Sequence, residues 1–511
     1  MITFPERFNM AEYFLDHNLA AGRGGKVCLR FGDERWTYAE VAKQANRAGH
    51  LLRELGAGVE DRVLLALPDC PQFVACWFGA AKIGAVIAMV NPLLPAGDYA
   101  YYLDYTRAKV FVIHESLVES VRPILAQARY LKNVLVVGAG SRGFPHYEDL
   151  APQMSDELET ADTHRDDPAI WLFTSGSTGK PKAAAHLQHD LPYNTECYAK
   201  RILRMREDDV TVAVPKLFFG YATGTNLLFP FAVGAETVLF DERSTPEKLF
   251  EVIERYRPTV LTNVPTMINA MLNTPGASER DLSSLRVCVS AGEALPPELY
   301  RRWKETFGVE ILDGVGSAEM FHIYISNRFG DVREGCLGKV VPGYEAEIIG
   351  PDGRPAPDGQ MGTLRIKGDS AALCYWQAHE KSKETFAGDY CTTGDQFTRD
   401  AEGYFWYGGR TDEMLKVSGV FVSPTEVENC LLEHEAVCEC AVIGFQDEDG
   451  LTKTKAFVVL NENCSQSDDL ARAIQEFVKS RLAMHKYPRR VVFVESLPKN
   501  DRGKIERKSL K

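Results

Sequence analysis

Through the first 300 residues, short apolar runs of β-forming residues alternate with stretches whose apolar residues recur at helical spacing. This alternation constrains the fold more than any other feature of the chain. The runs RVLLALP (62–68), AVIAMV (85–90), KVFVIH (109–114), NVLVVG (133–138), TVLTNVP (259–265) and RVCVSA (286–291) read as buried strands. Between them, segments such as Pro71 to Lys82 and Pro246 to Tyr256 read as helices. Parallel strands need a long crossover, usually a helix, so strand–helix alternation predicts layered α/β architecture with largely parallel sheets. The apolar stretch from Phe73 to Met89 is broken by Lys82, which predicts a buried helix and strand rather than a membrane span.

The pattern changes after about residue 335. Gly- and Pro-rich turns (PDGRPAPDGQMG, 351–362) then separate short strands such as TLRIKG, as in a smaller β-rich subdomain. A second change follows Tyr407-Gly408-Gly409-Arg410. The remaining chain holds a helix (Pro424 to Leu432), two strands (CECAVIGF and KAFVVL), another helix (Asp469 to Leu482) and a basic tail. The expected organisation is an N-terminal domain, 1–411, with α/β subdomains to about 335 and a β-rich subdomain from about 336 to 411. A small α+β domain, 412–511, follows. At roughly 150 residues per domain, a chain of 511 residues allows such a division.

The charge of −13, from 58 basic and 71 acidic residues, argues against general nucleic-acid binding and leaves room for a local basic pocket. The twelve cysteines include no CxxC pair, which speaks against a zinc finger and for a reducing compartment. Pro5, Glu6 and Arg7 stand where a signal peptide needs an apolar core. The expectation is a soluble cytoplasmic protein without a membrane partner.

TSGSTGKPK (174–182) follows the apolar run Ala169 to Phe173. Hydroxyl residues, two glycines and two lysines suit a loop whose backbone N–H groups wrap phosphate oxygens. The Walker pattern fails twice: its first Gly would fall at Thr174, and Pro181 follows the lysine. On composition alone, an ordinary Gly/Ser surface loop is an equal alternative.

The whole string, however, resembles the phosphate loop of the adenylate-forming superfamily, which includes acyl- and aryl-CoA synthetases, peptide-synthetase adenylation domains and luciferases. Other stretches resemble further motifs of that family, in the family's order. They are SAGEAL (290–295), DGVGSAEM (313–320), YCTTGD (390–395), YGGRTDEMLKVSGVFVSPTEVE (407–428) and PKNDRGKIER (498–507).

The resemblance implies ATP, Mg2+ and coenzyme A. It implies phosphate contacts from Thr174, Ser175, Gly176, Ser177, Thr178, Gly179, Lys180 and Lys182. It lays Gly292, Glu293 and Ala294, then Asp313, Gly314, Val315, Gly316 and Ser317, along the nucleotide, with the backbone of Glu293 an alternative to its carboxylate. Glu319 is implied as the metal ligand, Asp395 as the acceptor for the ribose hydroxyls, and Arg410 as a ribose or phosphate contact. Asp412 is implied as the hinge, with Lys416 and Gly419 entering for the thiol step. Lys504 is implied as the adenylation lysine, forming the catalytic set with Glu319 and Thr174. Ala318 departs from the family, which has a Thr there; Ser317 or the phosphate loop is left to supply that hydroxyl.

An ammonium such as Lys504 suits the first step, in which an anionic acid must approach an anionic α-phosphate. No covalent enzyme intermediate is required, so no cysteine need be a nucleophile. KLFFGYATGTNLLFPFAVGA (216–235) and MFHIYISNRFG (320–330) resemble the corresponding segments of benzoate-CoA ligases. That implies benzoate, an aminobenzoate or a hydroxybenzoate as substrate, in a pocket of Phe219, Gly220, Tyr221, Ala222, Ala291, Gly314, Gly316, His322 and Lys504. From the residues alone, His322 reads either as a ring contact or as a satisfied core histidine. Two alternatives stand beside CoA ligation: loading of an acyl carrier protein, and a catalytically silent ligand-binding relative. Monomer and homodimer are equally open.

Overall fold

The computed structural model describes residues 2–174, 180–417, 420–448, 451–461, 463–499 and 505–510. Ser175, Gly176, Ser177, Thr178, Gly179, Gly419 and Lys504 lie outside the described residues. Two mixed, mostly parallel sheets organise the larger part of the chain. One is nine-stranded, in the order Lys339–Val340, Ile323–Ser326, Ile311–Gly316, Val287–Ser290, Val260–Asn263, Val210–Ala213, Glu236–Leu239, Val27–Phe31, Glu34–Thr37. The other is seven-stranded, in the order Cys374–Tyr375, Lys182–Leu187, Pro168–Thr174, Val86–Met89, Arg62–Ala66, Val110–His114, Asn133–Val137. Their central pairs are parallel; the antiparallel pairs lie at the ends of each sheet.

The six strands predicted within the first 300 residues are all present, trimmed by a residue or two at their ends, and the helices Pro71–Lys82 and Pro246–Tyr256 have the predicted limits. Both helices begin with Pro, whose missing N–H costs nothing in the first turn, and Thr245 caps the second by accepting from Lys248 N. Lys82, the charge inside the apolar stretch, is buried and paired with Asp16 at 2.7 Å. A buried ammonium persists only with such a partner.

The expected β-rich subdomain forms a five-stranded antiparallel sheet of Glu345–Ile349, Gly362–Lys367, Phe386–Ala387, Tyr390–Arg399 and Phe405–Arg410. It is not self-contained. Lys339–Val340 extends the nine-stranded sheet, and Cys374–Tyr375 pairs with Lys182–Leu187 in the seven-stranded one. Side chains drive that excursion: the Trp376 ring lies 4.8 Å from Trp171, and its indole N–H donates to the Tyr105 carbonyl at 3.0 Å.

In the C-terminal domain, helices Pro424–Leu432 and Asp468–Arg481 pack on the sheet Val437–Gln446, Thr452–Leu460, Arg490–Phe493. The second helix starts one residue early because the Ser467 side chain accepts from Leu470 N and fixes the cap. Its hydrophobic core, built from residues such as Val427, Leu431, Val442, Val458, Ile474 and Val478, is separate from the clusters of the larger part. No helix among the described residues is long and apolar enough to cross a membrane.

Candidate active site

Several of the motifs singled out from the sequence lie at or beyond the carboxyl end of a strand. Residues 216–221 follow Val210–Ala213, residues 291–294 follow Val287–Ser290, and 317–319 follow Ile311–Gly316. These neighbouring parallel strands open onto the crevice where α/β sheets bind ligands. The phosphate-loop motif leaves the carboxyl end of Pro168–Thr174 in the other sheet.

That loop joins antiparallel strands, and Thr174 is paired with Lys182 across its two ends. A strand, Lys182–Leu187, and not a helix follows it, so the helix N-terminus of a Walker loop is lacking. Its exit is tied to the helix Ala96–Thr106. The Tyr101 hydroxyl donates to the Pro181 carbonyl at 2.6 Å, and the Lys180 ammonium lies 5.2 Å from the Tyr101 ring centroid. The Tyr105 hydroxyl accepts from Ala183 N at 3.2 Å and donates to the Trp376 carbonyl at 2.7 Å. Lys182 lies 4.2 Å from the Tyr375 ring centroid; burial lowers its pKa, and nearby Glu319 opposes that effect.

Glu319 sits in the short turn Ala318–Met320 and accepts a 2.6 Å hydrogen bond from the Tyr375 hydroxyl. The turn is held by its backbone as well. His186 Nε2 lies 2.6 Å from the Ala318 carbonyl while its Nδ1 faces Asp190 at 2.8 Å, and Ala372 N donates to the Glu319 carbonyl at 2.8 Å. Phe321 follows with φ of 67°, a strained conformation for a bulky residue that the surrounding contacts sustain. Gly316 is required here: a Cβ would meet the His322 carbonyl oxygen at 2.5 Å. The hydroxyl oxygen of Ser317 is buried and faces the Tyr324 hydroxyl.

Asp395 and Arg410 face each other across two antiparallel strands, with Arg410 Nη1 3.3 Å from Asp395 Oδ1 and Arg410 Nε 3.4 Å from Asp412 Oδ1. Asp412 is exposed in the turn between strands Phe405–Arg410 and Leu415–Val417, and Lys416 is exposed on the second of them. Glu293 does not offer its carboxylate to the crevice. Its Oε2 accepts from Thr266 N at 3.0 Å and Thr266 Oγ1 at 2.7 Å, which occupies the first turn of helix Pro265–Leu272. The backbone of Gly292 to Ala294 remains for contact. Asp313 is buried, with the Ser290 hydroxyl and the Gly314 N–H facing its carboxyl; burial outweighs both and pushes its pKa up to about 8.

In the aromatic segment, Leu217 N donates to buried Asp69 at 2.8 Å. Phe219 and Gly220 are half-buried at the start of a helical turn, and Ala222 is buried behind them, as is Ala291 on the neighbouring loop. The Tyr221 hydroxyl reaches the carbonyls of Asn263 and Val289 at 3.3 and 3.2 Å. His322 is buried among Tyr198, Tyr221, Phe229 and Phe321, and its Nδ1 has no hydrogen-bond partner among the described residues. Tyr101, Tyr105, Tyr375 and Asp69 were not foreseen from the sequence. Each is a single residue in an ordinary helix, strand or loop, and only pairing across the sheets reveals it.

The AMP-binding enzyme family model matches residues 16–376, and the AMP-binding enzyme C-terminal domain matches residues 426–504. A benzoate–CoA ligase of Thauera aromatica is 44% identical over 100% of this chain and 97% of its own length. A 4-hydroxybenzoate–CoA/benzoate–CoA ligase of Rhodopseudomonas palustris is 37% identical over 98% of this chain and 93% of its own length. The crystal structure of an anthranilate CoA ligase in complex with anthranoyl-AMP superposes with a TM-score of 0.95 at 40% identity, covering 99% of this chain and 97% of that one. A benzoate CoA ligase from Burkholderia xenovorans LB400 gives 0.91 at 41% identity, covering 98% and 99%. Sequence and fold agree over the whole length, and the chain belongs to the AMP-binding enzyme family, the adenylate-forming superfamily, with its resemblance to benzoate–CoA ligases running from end to end.

Proposed function

We propose that the chain is an ATP-dependent aryl-CoA ligase. It activates benzoate or a small amino- or hydroxybenzoate as the aroyl adenylate and passes the aroyl group to the thiol of coenzyme A, releasing pyrophosphate and then AMP. The observation that carries this reading is the full-length identity of 44% to a benzoate–CoA ligase, joined by hydroxybenzoate and anthranilate ligases of similar extent.

The residues fit the groups this reaction needs. Glu319 offers a carboxylate with one oxygen held by Tyr375, a hard donor suited to Mg2+ that takes its other ligands from phosphate and water. Bound there, Mg2+ would neutralise charge on the departing pyrophosphate. Lys180 and Lys182 balance phosphate charge at the loop exit. Buried Asp313 offers an acceptor oxygen suited to the exocyclic amino group of adenine, and Asp395 is suited to the ribose hydroxyls once Arg410 gives way. Lys504 bridges the acid and the α-phosphate as charge builds on phosphorus. The domain 412–511 then turns about Asp412, withdrawing Lys504 and bringing Lys416 and Gly419 to the thiol arm. Its separate hydrophobic core and the exposed turn at Asp412 support that motion.

Pyrophosphate release with Mg·ATP and a panel of benzoate, 2-, 3- and 4-substituted benzoates and alkyl acids tests the reading. Release confined to aryl acids is expected; no release with any acid would return the ligand-binding alternative. Thioester yield with CoA against a holo-carrier protein identifies the acceptor, and CoA is the expected one. Size-exclusion chromatography distinguishes monomer from homodimer.

A further inference from the structure

Lys182 and Glu319 carry opposite charges and feel each other's field, yet no ion pair joins them. The side chain of Tyr375 stands between. The Lys182 ammonium lies 4.2 Å from its ring centroid, and its hydroxyl donates to Glu319 Oε1 at 2.6 Å. Tyr375 is held from several sides. It pairs with Ala184 across the sheet, and its N–H donates to Ser382 Oγ at 3.0 Å. Trp376 N donates to the Ala183 carbonyl at 2.9 Å, and the Phe386 ring packs 5.3 Å from the Tyr375 ring. Only 5% of the residue is exposed.

In a half-buried site, a lysine and a carboxylate within reach of each other are drawn into contact. Such a contact would consume both the cation meant for phosphate and the anion meant for a metal. We propose that Tyr375 is a positioning residue with two tasks: its ring keeps Lys182 off Glu319, and its hydroxyl fixes the Glu319 carboxylate so that the other oxygen faces the metal. The ring face suits the first task because its quadrupole attracts an ammonium without neutralising it. The hydroxyl suits the second because an outer hydrogen bond orients a ligating carboxylate. This inference rests on the nucleotide reading above and adds to it a residue that touches neither phosphate nor metal.

Two substitutions separate the tasks. Tyr375→Phe keeps the ring and removes the hydroxyl. Tyr375→Leu removes both. The probe is binding of α,β-methylene-ATP, followed by titration calorimetry with and without Mg2+, with melting temperatures recorded to establish folding. Tyr375→Phe is expected to leave metal-free affinity unchanged and to raise the Mg2+ needed for half-maximal binding about 10-fold. Tyr375→Leu is expected to weaken metal-free binding as well, by about 10-fold, because Lys182 closes on Glu319. Adding Glu319→Gln to Tyr375→Leu is expected to restore metal-free binding by freeing the lysine. Wild-type Mg2+ dependence in folded Tyr375→Phe, or unchanged metal-free affinity in folded Tyr375→Leu, would overturn the proposal. Wild-type protein that fails to bind Mg·ATP would instead overturn the nucleotide reading itself.

Discussion

His322 Nε2 lies 3.1 Å from the carbonyl oxygen of Tyr221. A carbonyl can only accept, so Nε2 carries the proton and Nδ1, which has no hydrogen-bond partner, is a bare acceptor. Gly224 lies against this ring: a Cβ there would come within 2.5 Å of Cδ2. Burial pushes the His322 pKa down to about 3, so the imidazole is neutral at physiological pH.

That depressed pKa has a stability consequence with a definite sign. Between about pH 6.5 and 3 the unfolded chain binds a proton at this histidine that the folded chain refuses. Its contribution is fully present above pH 6.5 and declines as pH falls, by up to about 1.4 kcal/mol per pH unit. His322→Gln removes the titration. Unfolding free energies measured from pH 7 to pH 4 should fall less steeply in the variant than in wild type; parallel curves would contradict the assignment.

Asp313 has the opposite sign. Its folded pKa of about 8 lies above the ordinary carboxylate value, so between about pH 4 and 8 the folded state holds a proton that the unfolded state has released. Stability from this group is present below pH 4 and lost as pH rises towards 8. Asp313→Asn keeps an acceptor without the titration. Ligand-free Asp313→Asn should gain stability over wild type as pH rises from 4 to 8, read by thermal melts. An unchanged or shrinking difference over that range would refute the shift.

Arg507 binds Glu428 through Nη2 at 2.8 and 3.0 Å and reaches Glu413 at 3.2 Å. Glu428 is buried and also accepts from Val442 N at 2.8 Å. Removing the arginine strands a buried carboxylate, which typically costs about 3–5 kcal/mol. Arg507→Met should therefore destabilise the C-terminal domain by that order, and Arg507→Met with Glu428→Gln should recover part of the loss. Calorimetric melts of the full-length chain would register both effects.

Lys504 is expected to serve one half-reaction only. Lys504→Ala should abolish pyrophosphate release from ATP and aryl acid, while thioester formation from supplied aroyl-AMP and CoA should proceed within a few-fold of wild type. Equal loss in both half-reactions would remove the role assigned to it.

The fold was legible in the sequence where one segment carried the whole signal. Pro71–Lys82 and Pro246–Tyr256 each have a Pro start and an apolar stripe, and the structure returns their limits unchanged. Cys374–Tyr375 was not legible as part of the seven-stranded sheet, because two residues have no periodicity and their pairing is set by the Trp376 anchor. Near the candidate site, the strand expected over Ala169 to Phe173 is present as Pro168–Thr174. The Glu293 carboxylate did not, since a helix start on another segment takes it.

The sequence by itself determined the family, the order of the motifs and the chemistry each can offer, because hydroxyls, lysines, glycines and carboxylates at fixed local spacing are written in consecutive residues. Only the tertiary structure decided which of those groups are free. Packing of Tyr375 between Lys182 and Glu319, of Arg410 onto Asp395 and of Tyr221 against His322 joins residues far apart along the chain. The physical reason is that protonation state, tautomer and availability of a polar group depend on burial and on its nearest partners, and both are properties of the folded chain.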